Sequence, residues 1–366
     1  MMPYLTSEYG NPSSVYGPGR RAKHTLEKCR GRVAELLGVG PAEIVFTSGG
    51  SESNNAVCRQ YTDLVITSPV EHESVKESVK RLPSSGMVIM VSPDATGRIS
   101  PESVETALYS DNRSSGGTGL ASFMAVNNEL GTINPIEEIG HVLARFGFRF
   151  HTDAVQAAGI MDLSHLATCV DYMTLSGHKL GGPKGVGALF VKAGAPWRSF
   201  IAGGSQEQER RAGTENVAGI VGFTRALERS VENRIASVKK MRELRDQLVG
   251  GLSSALSHQI RFNSPPGDLS SPHIINFVCL DDEGQGLDGE MLILGLDMAG
   301  VYVSAGSACS SGTMKASAVL TSLGMNEQVA RGAIRISINP RTTKSEISEA
   351  IERINQTVSR MTGVSS

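Results

Sequence analysis

Between residues 20 and 230 the chain alternates short apolar runs with amphipathic stretches, and this alternation limits the fold more than any other feature of the sequence. The runs "EIVFT" (43–47), "DLVITS", "MVIMVS", "ASFMAV", "FRFHTD", "YMTLS" and "GALFV" have the length and continuous apolar character of buried strands. Stretches such as "ESVKESVKRL" and "IEEIGHVLARFG" lie between them with helical spacing. Strands separated by helices predict an α/β fold, a mostly parallel sheet covered on both faces. Ligands of such sheets bind beyond the carboxyl ends of the strands. Chemistry is therefore expected in the residues that follow each run.

At 366 residues the chain exceeds one ordinary core. Two domains are expected, a large one over 1–230 and a smaller α+β domain over 231–366. A helical pattern over 217–256 joins them, carrying Leu227, Val231, Ile235, Val238, Leu244, Leu248 and Leu252. The last helix opens at "TTKSE", where Thr343 and Glu346 have capping-box spacing, and is expected to bury Ile347, Ile351, Ile354 and Val358. "SDNRSSGGTG" (110–119) and "DDEGQGLDG" (281–289) read as polar surface loops.

A net charge of −2 provides no field to attract nucleic acid or anionic lipid. No apolar run approaches the ~20 residues that cross a bilayer, and "MMPYLTSEYG" lacks the pattern of a secretory signal. The five cysteines, Cys29, Cys58, Cys169, Cys279 and Cys309, are odd in number, widely spaced and without a C-x-x-C pair. That argues against a disulfide framework and against a metal site, and for a reducing, cytoplasmic compartment. Cys29 shares a helical face with Ala22, Leu26, Val33 and Leu36, Cys279 lies in "IINFVCL", and Cys58 and Cys169 read as part of a helix and of a strand approach. These four are expected to pack as small hydrophobes. Cys309 differs, because "SAGSACSSG" (304–312) surrounds it with small uncharged residues of a solvent-facing loop.

Four segments that follow strands carry reactive groups. In "SGHKLGGPKGVG" (176–187), Lys179 stands among glycines after "YMTLS". Desolvation there would lower its pKa and expose an amine able to form a Schiff base. An ordinary surface lysine is the plainer alternative, and the spacing does not fit a G-x-G-x-x-G dinucleotide loop. In "HTDAVQAAG", Asp153 follows "FRF" and can pair with a pyridinium nitrogen or cap a helix, with Gln156 one turn on. "FTSGGSESNN" (46–55) runs through a glycine pair into a helix whose first N–H groups, with the Ser51 hydroxyl, can cradle a phosphate. The alternative is a serine-capped helix, and no Walker signature is present. "SPVEHESV" places His72 after "DLVITS", where it can stack on a ring, shuttle protons or serve structure alone. Phosphate donors, an imidazole, a carboxylate and an amine together ask for a ligand with a phosphate, a ring nitrogen and an aldehyde. Pyridoxal 5'-phosphate is that ligand.

These segments, with "GNPSS", "VNNELG", "RAGTEN" and "SAGSACSSG", stand in the order found in the cysteine desulfurases, which the chain resembles over essentially its whole length. Those are fold-type I pyridoxal-phosphate enzymes of the class V aminotransferase-like group. The small-residue loop around Cys309 is similar to that of the group that supplies iron–sulfur assembly and tRNA thiolation. The resemblance implies a homodimer that converts L-cysteine to L-alanine, leaves a persulfide on Cys309, and hands the sulfur to an acceptor protein such as an iron–sulfur scaffold. It implies that Lys179 holds the cofactor, His72 stacks on its ring and acts in catalysis, and Asp153 pairs with the ring nitrogen. Asn128 and Gln156 would flank the ring hydroxyl, and Gly50, Ser51, Ser176 and His178 would bind the phosphate. Thr214 of "RAGTEN" would reach the neighbouring subunit's phosphate. Arg335 of "IRISINP", with Asn128, would hold the substrate carboxylate. A loop of Ser, Gly and Ala would let Cys309 swing between attack and delivery. The family's usual "Ala-Ala-Thr-Thr-Pro"-type opening does not precede "MMPYLTSEYGNPSS" here, and Tyr16 stands where histidine is frequent. A selenocysteine lyase, a class V aminotransferase and a non-catalytic binding subunit are the alternatives.

Overall fold

The computed structural model describes residues 1–110, 119–305 and 316–363, so Cys309 and most of the 110–119 loop lie outside the described residues. The chain divides into two compact units. Met1–Ser92, Ile99–Val126 and Pro135–Arg234 form the first, and 93–98, 127–134 and the chain from Ile235 onward form the second.

All seven apolar runs become strands of one sheet in the first unit. They are β1 (Ile44–Thr47), β2 (Leu64–Thr67), β3 (Met87–Met90), β4 (Leu120–Ser122), β5 (Arg149–Asp153), β6 (Tyr172–Ser176) and β7 (Gly187–Val191). Their order across the sheet is β1-β7-β6-β5-β4-β2-β3. The pairs among β2 to β6 are parallel, and β7 runs against both of its neighbours, β1 and β6. β3 departs from the expectation of burial on both faces. It is the edge strand, and Val88 and Met90 on it are exposed.

Helices of this unit are α1 (Met2–Thr6), α2 (Gly17–Leu37), α3 (Gly50–Cys58), α4 (Glu73–Val79), α5 (Pro101–Ser110), α6 (Ile136–Arg145), α7 (Leu163–Cys169) and α8 (Val217–Glu232). The period-two alternation of a strand sends them to opposite faces. Val45 packs with Val57 and Cys58 of α3, Val75 and Val79 of α4, and Val65, Leu120 and Leu189 of the sheet. Phe46, the next residue along β1, turns the other way and meets Phe223 of α8 edge-on, with ring centroids 6.4 Å apart. Cys29 is buried on α2 and Cys58 on α3 as expected, whereas Cys169 ends helix α7 rather than approaching a strand.

The second unit holds α9 (Arg234–Leu256, whose first residue closes the first unit), β8 (Ile260–Phe262), β9 (Ile274–Cys279), α10 (Gly289–Met298), β10 (Ser304–Ala305), α11 (Ala318–Ser322), α12 (Glu327–Arg331), β11 (Ala333–Ser337) and α13 (Lys344–Thr362). Its sheet, in the order β10-β11-β9-β8, is antiparallel throughout. Leu244, Leu248 and Leu252 of α9, Leu292 and Leu296 of α10, and Ile347, Ile354 and Val358 of α13 bury against Ile275, Phe277 and Ile334 of the strands. Each such side chain contributes roughly 1.5–3 kcal/mol of burial. The capping box predicted at Thr343 is present, and Ile351 is only partly buried.

The single helical pattern expected over 217–256 is two helices that part at Asn233. There the Asn233 side-chain amide donates to the Arg229 carbonyl at 2.7 Å, the same carbonyl that accepts the Asn233 backbone N–H at 3.1 Å, so the residue closes the helix end with both of its donors. The periodicity survives the break because each helix keeps its own apolar face. Ile235, read as part of that face, is 79% exposed. Among the described residues, no helix is long and apolar enough to cross a membrane.

Candidate active site

Strand register brings the sequence-predicted residues of the first unit to one edge of its sheet. Asp153, the last residue of β5, pairs with Thr174 of β6. β6 continues to Ser176 and then into the single 3₁₀ turn Gly177–Leu180, which carries His178 and Lys179. Thr47 at the end of β1 pairs with Gly187 at the same edge, and α3 begins three residues later. β2 ends at Thr67, and the chain then reaches His72, the residue that caps α4.

The start of α3 is open. Its cap residue is Gly49, with φ +144 and no side chain to accept from the first N–H groups. A positive φ of this kind is costly for any residue but glycine. Gly187 permits the same approach from below, because a Cβ there would lie 2.4 Å from the Leu175 carbonyl oxygen and 2.9 Å from the Gly49 Cα. A Cβ on Gly50 would meet Val155 Cγ2 at 3.0 Å and Ser176 Cβ at 3.9 Å, so Gly50 and Ser176 are neighbours. Ser176 Oγ shares a hydrogen bond of 3.0 Å with His178 Nδ1. Burial pushes the His178 imidazole down from its ordinary value, and Lys179 and Lys184 add to that shift. Glu52, one turn into α3, accepts two bonds from Arg211, at 3.0 and 3.1 Å, and a third from Ser48 N–H. Burial alone would raise the Glu52 carboxyl, but these donors outweigh it and hold it below the usual range.

Asp153 is 6% exposed, and its two oxygens have neutral donors: Val155 N–H at 2.9 Å and Asn54 Nδ2 at 2.7 Å. Asn54 Nδ2 also reaches Ser74 Oγ at 2.9 Å, and Ser74 Oγ lies 2.7 Å from His72 Nδ1. Asp153 therefore caps no named helix, the alternative raised by its sequence position. Beside this group lies Glu71, fully buried, with Oε1 accepting from Met124 N–H at 2.8 Å and Oε2 without a partner among the described residues. Burial pushes the Glu71 carboxyl well above its ordinary range, with Asp153 adding to the effect and the Met124 N–H opposing it. Neither Asn54, Ser74 nor Glu71 was singled out by sequence reasoning, although all three lie inside quoted motifs.

Lys179 itself is exposed in this chain. Packing among the described residues does not bury it, since the 3₁₀ turn carries it past the buried end of β6. Ser51 and Thr214 are exposed, and Gln156 is half-buried three residues after Asp153. Among the described residues, the Thr214 hydroxyl bonds to none of the groups of this edge. Asn128 and Arg335 belong to the second unit. There Arg335 Nη1 donates to the Asn128 carbonyl at 2.8 Å, while its buried Nε has no partner among the described residues. Burial pushes the guanidinium down from its ordinary value and Glu129 works in the opposite direction. A buried guanidinium with an unused donor is a place for a carboxylate.

These donor sets fit pyridoxal 5'-phosphate. The glycine-led helix start, with Ser51, Ser176 and His178 beside it, offers N–H and O–H donors to a phosphate. Asp153 has no cationic partner among the described residues, and a protonated ring nitrogen would give its buried carboxylate one. Among the described residues no cluster of His, Cys, Asp and Glu could hold a metal ion.

The aminotransferase class-V family model matches residues 1–349. "Cysteine desulfurase 2" of Trichormus variabilis is 38% identical over 372 residues, spanning 100% of this chain and 90% of that protein. "Cysteine desulfurase IscS" of Clostridium botulinum is 37% identical over 362 residues, spanning 96% and 88%. Among solved structures, a "NifS-like protein" superposes with a TM-score of 0.87 at 34% identity over 98% of this chain and 94% of that one. Another NifS-like protein, from Rickettsia africae, gives 0.84 at 30% identity over 95% and 91%. On these matches, and with the sheet edge that carries the site, the chain belongs to the class-V aminotransferase family, among its cysteine desulfurases.

Proposed function

We infer that this protein is a pyridoxal 5'-phosphate-dependent cysteine desulfurase that converts L-cysteine to L-alanine and keeps the sulfur as a persulfide on Cys309. The observation that supports the reading best is the gathering, at one sheet edge, of an amine, an imidazole, a buried carboxylate with neutral donors only, and an uncapped helix start.

Lys179 supplies the amine that holds the cofactor, and Gly50, Ser51, Ser176 and His178 supply the donors for its phosphate. Asp153 keeps the ring nitrogen protonated, His72 stacks on the ring, and Asn128 and Gln156 serve its hydroxyl side. The cofactor, when bound, supplies an electron sink for the substrate's α-carbon. Arg335 orients the substrate by its carboxylate through the donor that the fold leaves unused. The Cys309 thiolate attacks the substrate sulfur. An S–S bond forms, the substrate C–S bond breaks, and the carbon left behind takes a proton, for which His72 would be a donor. L-cysteine plus a protein thiol gives L-alanine plus a protein persulfide, and the atoms balance with no external oxidant.

The active form is a homodimer in which the exposed Thr214 reaches the phosphate of the neighbouring subunit. A second copy over this edge would supply the desolvation that one chain does not give Lys179. The persulfide passes to an acceptor protein such as an iron–sulfur scaffold. Free thiols at Cys29, Cys58, Cys169 and Cys279 suit a reducing cytoplasm.

The holoenzyme given L-cysteine and dithiothreitol is expected to release alanine and sulfide in equal amounts, and Cys309→Ala to release no sulfide. Pyruvate in place of alanine would refute the assignment, and turnover of selenocysteine alone would point to the lyase instead.

A further inference from the structure

Four side chains of the first unit form one hydrogen-bonded line: Asp153, Asn54, Ser74 and His72. Its polarity can be read from the donors. Asn54 is 1% exposed, and its Nδ2 has two hydrogens and two acceptors, Asp153 Oδ2 at 2.7 Å and Ser74 Oγ at 2.9 Å. Turning the amide over would set its oxygen against the carboxylate, so the carboxylate fixes which way the amide faces. Ser74 Oγ, having accepted from Asn54, has one hydrogen to give, and His72 Nδ1 stands 2.7 Å away. The backbone N–H of Ser74 points at the same nitrogen from 3.1 Å. A backbone N–H can only donate. Nδ1 must accept from it, and the imidazole hydrogen of the neutral ring sits on Nε2.

We propose that Asn54 and Ser74 are positioning residues that hold His72 as its Nε2–H tautomer and tie the orientation of that ring to the carboxylate of Asp153. This deepens the desulfurase reading and rests on it for the importance of His72, since the bonds themselves belong to this chain whatever it catalyses. The consequence is directional. The neutral ring presents its hydrogen at Nε2 rather than at Nδ1, and the line that makes the choice ends at the carboxylate that would hold the cofactor nitrogen, which Asn54 Nδ2 meets at 2.7 Å. Neither residue touches the reacting atoms. Both act through His72.

The test uses the holoenzyme labelled with ¹⁵N-histidine, with the His72 signals assigned by their loss in His72→Gln. Two-bond nitrogen–proton correlation is expected to show a pyridine-type Nδ1 and a pyrrole-type Nε2 in the unaltered protein. Ser74→Ala removes the hydroxyl donor but keeps the backbone N–H, so the Nδ1–H form should gain about fivefold in relative population, the size of one ordinary hydrogen bond. Asn54→Asp is the sharper variant. An aspartate at that place shares a proton with Asp153 and so has one hydrogen where asparagine had two. With none left for Ser74 it accepts from the Ser74 hydroxyl, and should shift the tautomer as Ser74→Ala does although Ser74 is intact. The double variant should go no further than either single one. In parallel, kcat for alanine formation should fall only in proportion to the Nε2–H form that is lost, with KM for cysteine little changed.

A pyrrole-type Nδ1 in the unaltered protein would overturn the proposal, as would a tautomer ratio unmoved in both Ser74→Ala and Asn54→Asp. A holoenzyme that retains the Nε2–H form but makes no alanine from cysteine upholds the positioning role and refutes the desulfurase reading, so the two fail separately.

Discussion

Helices α3 and α13 begin on the same frame and are used in opposite ways. Each has a glutamate at its third position, Glu52 in α3 and Glu346 in α13, and they differ at the residue just before the helix, Gly49 in one and Thr343 in the other. Thr343 closes its helix. Its hydroxyl accepts from Glu346 N–H at 3.2 Å, and Glu346 in return accepts from Thr343 N–H at 2.7 Å. At α3 the cap has no side chain, and the glutamate is diverted to Ser48 N–H and to Arg211. The start of α13 spends its polar groups on itself and that of α3 leaves them facing out. A helix that closes its own start serves stability. One that leaves it open, beside a strand end and a lysine, has donors for a ligand.

If that division is right, substitutions at the two places should separate activity from stability. The largest effect is expected at Lys179→Ala, which should lower alanine formation on the order of a thousandfold or more, as loss of a covalent-catalysis residue does. Because Lys179 is exposed, the urea midpoint should stay close to that of the unaltered protein. A large loss of stability would mean that the lysine serves structure, and the comparison would break there. Next comes Ser51→Ala. Among the described residues the Ser51 hydroxyl has no hydrogen-bond partner, and alanine suits a first turn. Titration of the apoprotein should show pyridoxal 5'-phosphate binding weakened about 10- to 100-fold, one hydrogen bond to a charged group, with unfolding unchanged. The same hydroxyl-to-hydrogen change at Thr343 should do the reverse. Thr343→Ala should cost about 1 kcal/mol in urea unfolding and leave cofactor affinity and kcat as they were.

The seven strands of the first unit and β9 of the second were legible in the sequence as short apolar runs. β8, β10 and β11 were not, being short or only partly buried, and α13 was legible because a capping box is a local signal. What could not be read was direction and partnership. "GALFV" is the same kind of run whether it lies along its neighbours or against them, so the reversal of β7 is not visible in its residues. The 217–256 pattern concealed the break at Asn233, since apolar spacing continues across a cap that only hydrogen bonding reveals. At the site, residues that follow strands were found by that rule alone, which places Lys179, Asp153 and His72. Asn54 and Ser74 were missed for a physical reason. A polar side chain on the first turns of a helix is ordinarily a solvated one, and only the fold turns these two inward to each other. The exposure of Lys179 was equally out of reach, because desolvation belongs to packing and leaves no mark in a glycine-rich run.

The smallest expected effect tests the closed helix start by proton rather than by substitution alone. The bonds from Thr343, backbone N–H first and hydroxyl second, hold the exposed Glu346 carboxyl below its usual range. A carboxyl whose folded pKa is depressed contributes stability that is fully present above its unfolded pKa, about 4.3 for glutamate, and that is lost as pH falls through the lower, folded value. Glu346→Gln cannot take part in this exchange. Its urea midpoint should lie below that of the unaltered protein at pH 7, and the gap should narrow as the pH drops below the ordinary glutamate range. Cofactor affinity at pH 7 should be the same in both proteins, because Glu346 serves the helix that is closed on itself. A gap that held constant down to pH 3 would show that the advantage of Glu346 over glutamine does not come from the ionised carboxylate, and the charge would drop out of the account of how α13 closes its start.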